Sequence, residues 1–321
     1  MSESTKYSVE VALATFNSER FLRALLESLF RQTYQDFTLL ISDDGSSDST
    51  LDIIAEFKDK YPNRIKKLEF GQRAGGTLAN FSRLIDCLTA DYVLFCDHDD
   101  IWLPDKIALS LERMRSAEAR YGTEMPLLVH TDLAIVGPAL EKWNSSFWRY
   151  SHLDPSRNSL RLLLMANTVT GCATIVNRAL YERARPVPAG AHMHDHWFAL
   201  VAATFGRIEF VEKSTILYRQ HAENTVGARV WNLWSILGQV YTTVFGAEKR
   251  QLFTGLSVQA SALLSRYRYE MAAEQYRTTE TLANLWSAGR MSRFVRLFRG
   301  GLLLDGFARN VGLFVAVSRK D

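Results

Sequence analysis

Three times before residue 90 a short β-rich run gives way to an amphipathic helix, and nothing else in the chain restricts its architecture as much. VEVALAT (9–15) is followed by FNSERFLRALLESLFRQ, in which Phe21, Leu22, Leu25, Leu26, Leu29 and Phe30 recur at helical spacing after Asn17 or Ser18 as cap. FTLLIS (37–42) leads through DDGSSDS to TLDIIAEFKDKY, and IKKLEF leads through GQRAGG to a helix carrying Leu78, Phe81, Leu84, Ile85 and Leu88. Residues 91–96 then read as a strand with both faces apolar, and Pro104 opens the next helix where proline is tolerated. This alternation predicts an α/β fold, a doubly wound and mostly parallel sheet flanked by helices. From about residue 126 the rhythm loosens. LLVHTDLAIV, TVTGCATIVN, RIEFV and STILYR read as strands, and DHWFALVAATFG as a helix turning Trp197, Leu200, Val201 and Phe205 inward, so the same domain continues with a mixed sheet edge.

Ligands of such sheets bind beyond the carboxyl ends of the strands. Three polar clusters fall there and are expected to converge on one crevice: Thr15, Phe16 and Asn17, then Asp43 and Asp44, then Asp97, His98, Asp99 and Asp100. Carboxylates packed as in FCDHDDIWLPDK repel one another unless a cation sits among them or water separates them. In an extended backbone Asp97 and Asp99 lean the same way with His98 opposite. Two such carboxylates plus a substrate's phosphates suit Mg2+ or Mn2+; a solvated acidic turn capping the following helix is the other reading. ISDDGSSDST likewise serves as a helix cap or as a ligand loop.

Further on, HMHDHWFALVA puts Asp195 at the head of a helix, where the dipole and the flanking His194 and His196 are expected to keep it ionised, fit to act as a general base. His192, His194, Asp195 and His196 invite a zinc reading, but HExxH is absent and alternate residues at a helix start cannot all face one ion. In YRQHAENTVGAR, Arg219 is expected to reach a diphosphate and His221 to complete a metal sphere through a neutral ring nitrogen.

ALATFN, ISDDGSSDST, GQRAGGTLANF and FCDHDDIWLPDKI, in that order, resemble the successive motifs of family 2 glycosyltransferases with the GT-A fold, over roughly residues 8–225, and within that family the bacterial rhamnosyltransferases. The resemblance implies that Thr15 and Phe16 flank a nucleotide base that Asp43 hydrogen-bonds, and that Asp97 and Asp99 form the DXD metal triplet, Asp99 binding the ion directly. Asp195 matches the family's acidic base, with His194 in place of the usual Glu, and TGCATIVN looks like the acceptor-side strand, so Gly171, His194 and Trp197 are expected there. GQRAGG departs from the usual Asn-x-Gly and offers Gln72 and Arg73 instead. The implied reaction is inverting, metal-dependent transfer of L-rhamnose from dTDP-L-rhamnose to a polysaccharide, lipopolysaccharide or lipid-linked glycan. Two rivals are a sugar-nucleotide-forming nucleotidyltransferase, which leads with a basic glycine-rich loop that ATFNSER lacks, and a non-catalytic glycan-binding protein of the same fold.

Composition adds a division. With 321 residues, 47% of them hydrophobic, the chain is globular rather than disordered, and residues 1–230 are expected to form the catalytic domain. Residues 231–321 hold 12 Lys and Arg against 6 Asp and Glu, while the remainder is net acidic. There VWNLWSILGQVYTTVFGA reads as an amphipathic helix showing Trp231, Trp234, Leu237, Tyr241 and Val244. Arg290, Arg293, Arg296, Arg299 and Arg309 interleave with Phe294, Leu297, Phe298, Leu302, Leu303 and Phe307. A basic, apolar-faced helix suits an anionic membrane surface or a bundle contact, with the catalytic domain or a second subunit; nucleic acid is excluded by the excess of apolar residues. Cys87, Cys96 and Cys172 have no CxxC pairing and read as buried thiols of a reducing cytoplasm, and MSESTKYSVE lacks a signal-peptide core. The expected location is the cytoplasm, peripheral at the inner face of the membrane.

Overall fold

The computed structural model describes residues 7–221 and 248–303, together with Asn310 and Leu313. The first half alternates as expected through β1 (Val9–Thr15), α1 (Glu19–Leu29), β2 (Thr38–Asp43), α2 (Thr50–Lys60), β3 (Ile65–Leu68), α3 (Thr77–Asp86) and β4 (Tyr92–Cys96); an unexpected two-residue β5 (Ile101–Trp102) follows, and α4 (Lys106–Tyr121) starts after its cap Asp105 rather than at Pro104. Then come β6 (Leu127–Val136), β7 (Lys142–Asn144), α5 (Phe147–Tyr150), α6 (Leu160–Leu163), a 3-10 turn over Gly171–Ala173, β8 (Thr174–Asn177), α7 (Arg178–Ala184), α8 (His194–Phe205) and β9 (Arg207–Arg219). Among the described residues α9 (Glu248–Tyr267), α10 (Ala273–Ala283) and α11 (Arg290–Arg299) follow.

All nine strands form one sheet in the order β3-β2-β1-β4-β8-β6-β9-β5, with β7 on β6. β3, β2, β1 and β4 are mutually parallel, and the order reverses at β1, which places a crevice at the carboxyl ends of β1 and β4. The sheet edge is mixed as expected, β5 running against β9 and β7 against β6, and a further antiparallel element lies in the middle, where β8 runs against both β4 and β6. RIEFV and STILYR, read as two strands, are one, since β9 pairs in parallel with β6 through register shifts around Asp132 instead of breaking.

The pleat explains the two cores. Ala12, Ala14, Val93 and Phe95 point to one face, against α3, α7 and α8, while Val11, Leu13, Leu94 and Cys96 point to the other, against α1, α2 and α4. Phe253, Leu256, Leu263, Leu282, Leu285 and Leu297 belong to the first face's cluster, so α9 to α11 share a core with the catalytic helices. The helix expected around Trp231 to Val244, and Phe307 and Arg309, lie outside the described residues. Among the described residues, no helix is long and apolar enough to cross a membrane.

Candidate active site

At the end of β1, Thr15 donates its hydroxyl to Asp43 Oδ1 across the β1–β2 pair (2.8 Å), and the same carboxylate accepts from Ser46 Oγ and from the backbone N–H groups of Gly45 and Ser46. Asn17, at φ +46°, accepts from Ser47 N (2.9 Å), so the two loops are tied together. Phe16 stands beside them, 41% exposed, with the Arg73 guanidinium 4.5 Å from its ring centre.

Asp44 corrects an expectation. It was read as a donor-binding residue, yet it is buried, and its carboxylate is enclosed by the N–H groups of Ala74, Gly75 and Gly76 and by Arg83 Nη2. Gly75 (φ +85°) and Gly76 (φ +145°) allow successive amides to converge, a nest suited to an anion; here the chain's own carboxylate fills it. Asn80, buried, bridges Ser42 and Thr15, and Arg83 bonds Asp44 and the carbonyl of Gln72. Neither was singled out from sequence. The available signal was a polar pair three residues apart on α3, one on either side of buried Phe81.

β4 ends at Cys96, and residues 97–100 form a turn rather than an extended segment, so the strand-like alternation of Asp97 and Asp99 does not hold. Asp99 Oδ2 lies 2.9 Å from His221 Nε2. Asp97 instead stands with Asp100 and Cys172, their ligand atoms all within 4.8 Å; among the described residues Asp97, Asp99 and His221 are not gathered to that tightness. His98 is half-buried in the turn. Burial, then the charges of Asp99 and Asp195, push the Asp97 carboxyl up to about 7, and burial followed by Asp99 raises Asp100 well above the usual range. Beneath them Lys106, fully buried with its ammonium 4.5 Å from the Trp102 ring centre, is lowered by burial to about 8. Arg219 is also corrected. It is buried, donating from Nε to the Asp99 carbonyl (2.8 Å) and from Nη1 to Pro138 (2.6 Å), while its N–H meets Asp100, so it braces the acidic turn.

Across the crevice Asp195 occupies the first turn of α8. Oδ2 accepts from Gly171 N (3.0 Å) and Oδ1 from His196 N (2.6 Å), and the nearby Asn167 side chain favours the ionised carboxylate. Burial raises it to about 6 against the pull of those donors. A Cβ on Gly171 would meet His194 Nε2 at 3.1 Å and the Asp195 side chain at 3.3 Å, so only glycine brings its N–H this close. Asn167 went unnoticed in the sequence, where an amide four residues before a glycine carries no mark of its own.

The flanking histidines do not do what was expected of them. His194 is buried against Phe81 (ring centres 3.9 Å apart) and Phe95, and burial lowers it to about 3; His196 is lowered to about 4 and bonds the Leu163 carbonyl. Both are neutral, so N–H donors and not imidazolium charges hold Asp195. Trp197 is fully buried, its Nε1 donating to the Ala184 carbonyl. His194 and Trp197 are therefore core residues rather than acceptor contacts, because in an early helical turn only one side faces the crevice. For the same reason the histidines around Asp195 do not gather into a zinc site.

The family model described as glycosyl transferase family 2 matches residues 10–182. The chain is 28% identical over 230 residues to dTDP-rhamnosyl transferase RfbG of Shigella flexneri, covering 68% of this chain and 74% of that one. It is 32% identical over 108 residues to the UDP-Glc:alpha-D-GlcNAc-diphosphoundecaprenol beta-1,3-glucosyltransferase WfgD of Escherichia coli, covering 34% and 41%. In fold it resembles S. aureus TarS 1-349 solved with UDP-GlcNAc (TM-score 0.51, 15% identity, 97% and 90% covered). It also resembles the mannosyltransferase PcManGT of Pyrobaculum calidifontis solved with GDP-Man and Mn2+ (TM-score 0.51, 15% identity, 98% and 86% covered).

Proposed function

Since the chain belongs to glycosyl transferase family 2, with the GT-A fold, we propose that it transfers L-rhamnose from dTDP-L-rhamnose, with inversion, to a hydroxyl of a bacterial polysaccharide, lipopolysaccharide or lipid-linked glycan. The observation that carries this reading is a juxtaposition: the Asp195 carboxylate, gripped by the N–H groups of Gly171 and His196, stands across from the acidic turn and near enough for its charge to raise Asp97. The dTDP-rhamnosyl activity in the name of the Shigella relative supports the donor.

Phe16 offers an exposed ring to the base, beside Thr15 and Asp43. Asp99 and His221, whose Oδ2 and Nε2 are hydrogen-bonded at 2.9 Å, would hold Mg2+ or Mn2+ together with Asp97, an oxygen and imidazole donor set that suits such a cation. When bound, such a cation offsets charge on the departing diphosphate. Asp195, raised to about 6, is ionised at neutral pH and more basic than an ordinary carboxylate. It takes the proton of the acceptor hydroxyl as that oxygen bonds to the anomeric carbon and the bond to the diphosphate breaks on the opposite face. We place the enzyme against an anionic membrane surface because Val295 and Phe298 of α11, 44% and 63% exposed, stand among exposed Arg296 and Arg299.

Asp195→Asn tests the assignment. Turnover should fall by about 10²-fold or more while calorimetric affinity for dTDP-rhamnose stays within about twofold. Undiminished turnover removes Asp195 as base. The same titrations with and without Mn2+, against UDP- and GDP-sugars, test the rest: metal-independent binding discards the cation site, and preference for another nucleotide discards the donor.

A further inference from the structure

The C-terminal helix α9 reaches the head of α8 through a single buried amide. Gln259 is 1% exposed; its Oε1 accepts from the backbone N–H of His192 (2.7 Å), and its Nε2 lies 3.2 Å from His196 Nδ1. His196 Nε2 lies 2.6 Å from the Leu163 carbonyl on α6. A carbonyl can only accept and an amide nitrogen can only donate, so the ring is fixed with its proton on Nε2 and its lone pair on Nδ1. The approach is close on both sides: a Cβ on Gly190 would meet Val258 Cγ1 at 3.0 Å, and one on Gly255 would lie 3.8 Å from His192 Nδ1. His196 is thus pinned at both ring nitrogens, and its own N–H holds Asp195 Oδ1 at 2.6 Å.

We infer that Gln259 is a positioning residue for this reaction, fixing through His196 and the His192 backbone the first turn of α8 and with it the direction of the Asp195 carboxylate. This rests on Asp195 being the base. Apolar packing does not require it, because Phe253, Leu256, Ala260 and Leu263 already seat α9 on the catalytic layer. A buried polar network of this kind specifies one arrangement, and misplacing a catalytic group by about 1 Å costs about 10²-fold in rate. Gln259 and Asp195 both lie beyond residues 10–182, the stretch that the family model matches.

The test uses the full-length chain. Gln259→Met keeps the length and apolar packing and removes both hydrogen bonds; Gln259→Glu keeps an acceptor for His192 N but offers His196 Nδ1 an acceptor as well, and since the Leu163 carbonyl still requires the proton on Nε2, it favours a doubly protonated ring. Expected for Gln259→Met are a fall of about 10- to 100-fold in kcat, with donor Kd within about twofold. Gln259→Glu should also lower kcat and add a second proton, on Nδ1, to His196 in its ring 15N spectrum. Wild-type kcat in a folded Gln259→Met variant overturns the proposal, as does a wild-type His196 spectrum showing Nδ1 protonated, a readout independent of either variant's folding. Asp195→Asn run in parallel separates the two claims: if it keeps turnover, the base assignment fails; if it loses turnover while Gln259→Met does not, only the positioning role fails.

Discussion

His130 shows how much a single side chain can be asked to do without taking part in chemistry. It lies buried in β6 against Trp148 and Phe210, neither ring nitrogen has a hydrogen-bond partner, and burial lowers it to about 4. Unfolded, it titrates near 6.5. Between those values the unfolded chain binds a proton that the folded chain refuses, so stability falls as pH drops, by about 1.4 kcal/mol per unit, and the loss stops growing below about 4. His130→Phe removes this dependence. Its packing cost is independent of pH, so the stability of the variant relative to wild type, from urea titrations at pH 7, 6, 5 and 4.5, should climb steadily toward acid; parallel curves would mean that His130 is charged or solvated in the fold. Residue identity was legible at the site to a similar degree. Asp195 and Asp99 stood out because an acid at a strand mouth or helix head is conspicuous, whereas Asp44 and Arg219 looked like ligand residues because sequence shows a charge and not the loop amides or carbonyls that occupy it.

Among the elements, LLVHTDLAIV matches β6 from end to end, whereas TVTGCATIVN is strand only over its last four residues. What sequence did not disclose was the direction of β8, four residues long after a 3-10 turn, since apolar runs look alike whichever way they are laid. The joint between α8 and β9 sets this half of the sheet. Gly206 ends α8 at φ −146°, ψ −135°, and a Cβ there would fall 1.7 Å from the Pro126 carbonyl oxygen, at the point where β6 and β9 begin side by side. That neighbour is backbone at the edge of the paired strands and cannot swing aside. Gly206→Ala should therefore cost more than about 3 kcal/mol, read as a drop in denaturation midpoint with an unchanged m value. A change under 1 kcal/mol would show that the turn relaxes and does not govern how β9 joins the sheet.

At the scale of the molecule, the question is whether residues beyond 231 are an appendage or part of the body. The charge asymmetry of the sequence pointed to a separate surface, and Phe298 with its neighbouring arginines keeps that role open. The other side of the same helices is different. Leu282, Leu285, Leu297, Leu302 and Leu313 are at most 1% exposed and lie in one cluster with Phe95, Phe198 and Trp197. Tyr267 stacks near Trp197, Arg266 donates to the carbonyls of Ala184 and Pro186, and Gln275 Nε2 donates to the Thr204 carbonyl. Burying a leucine is worth about 1.5–3 kcal/mol, so those five side chains alone rival the 5–15 kcal/mol by which a whole domain is stable. A fragment ending at residue 230 should consequently fail to fold, giving weak near-ultraviolet circular dichroism and no donor binding. The full chain should unfold in one transition that coincides between backbone and aromatic signals. A fragment that still bound nucleotide sugar, or a full chain melting in two steps, would make the helical layer a separate domain, and Gln259 would then reach Asp195 across a domain boundary rather than through a shared core.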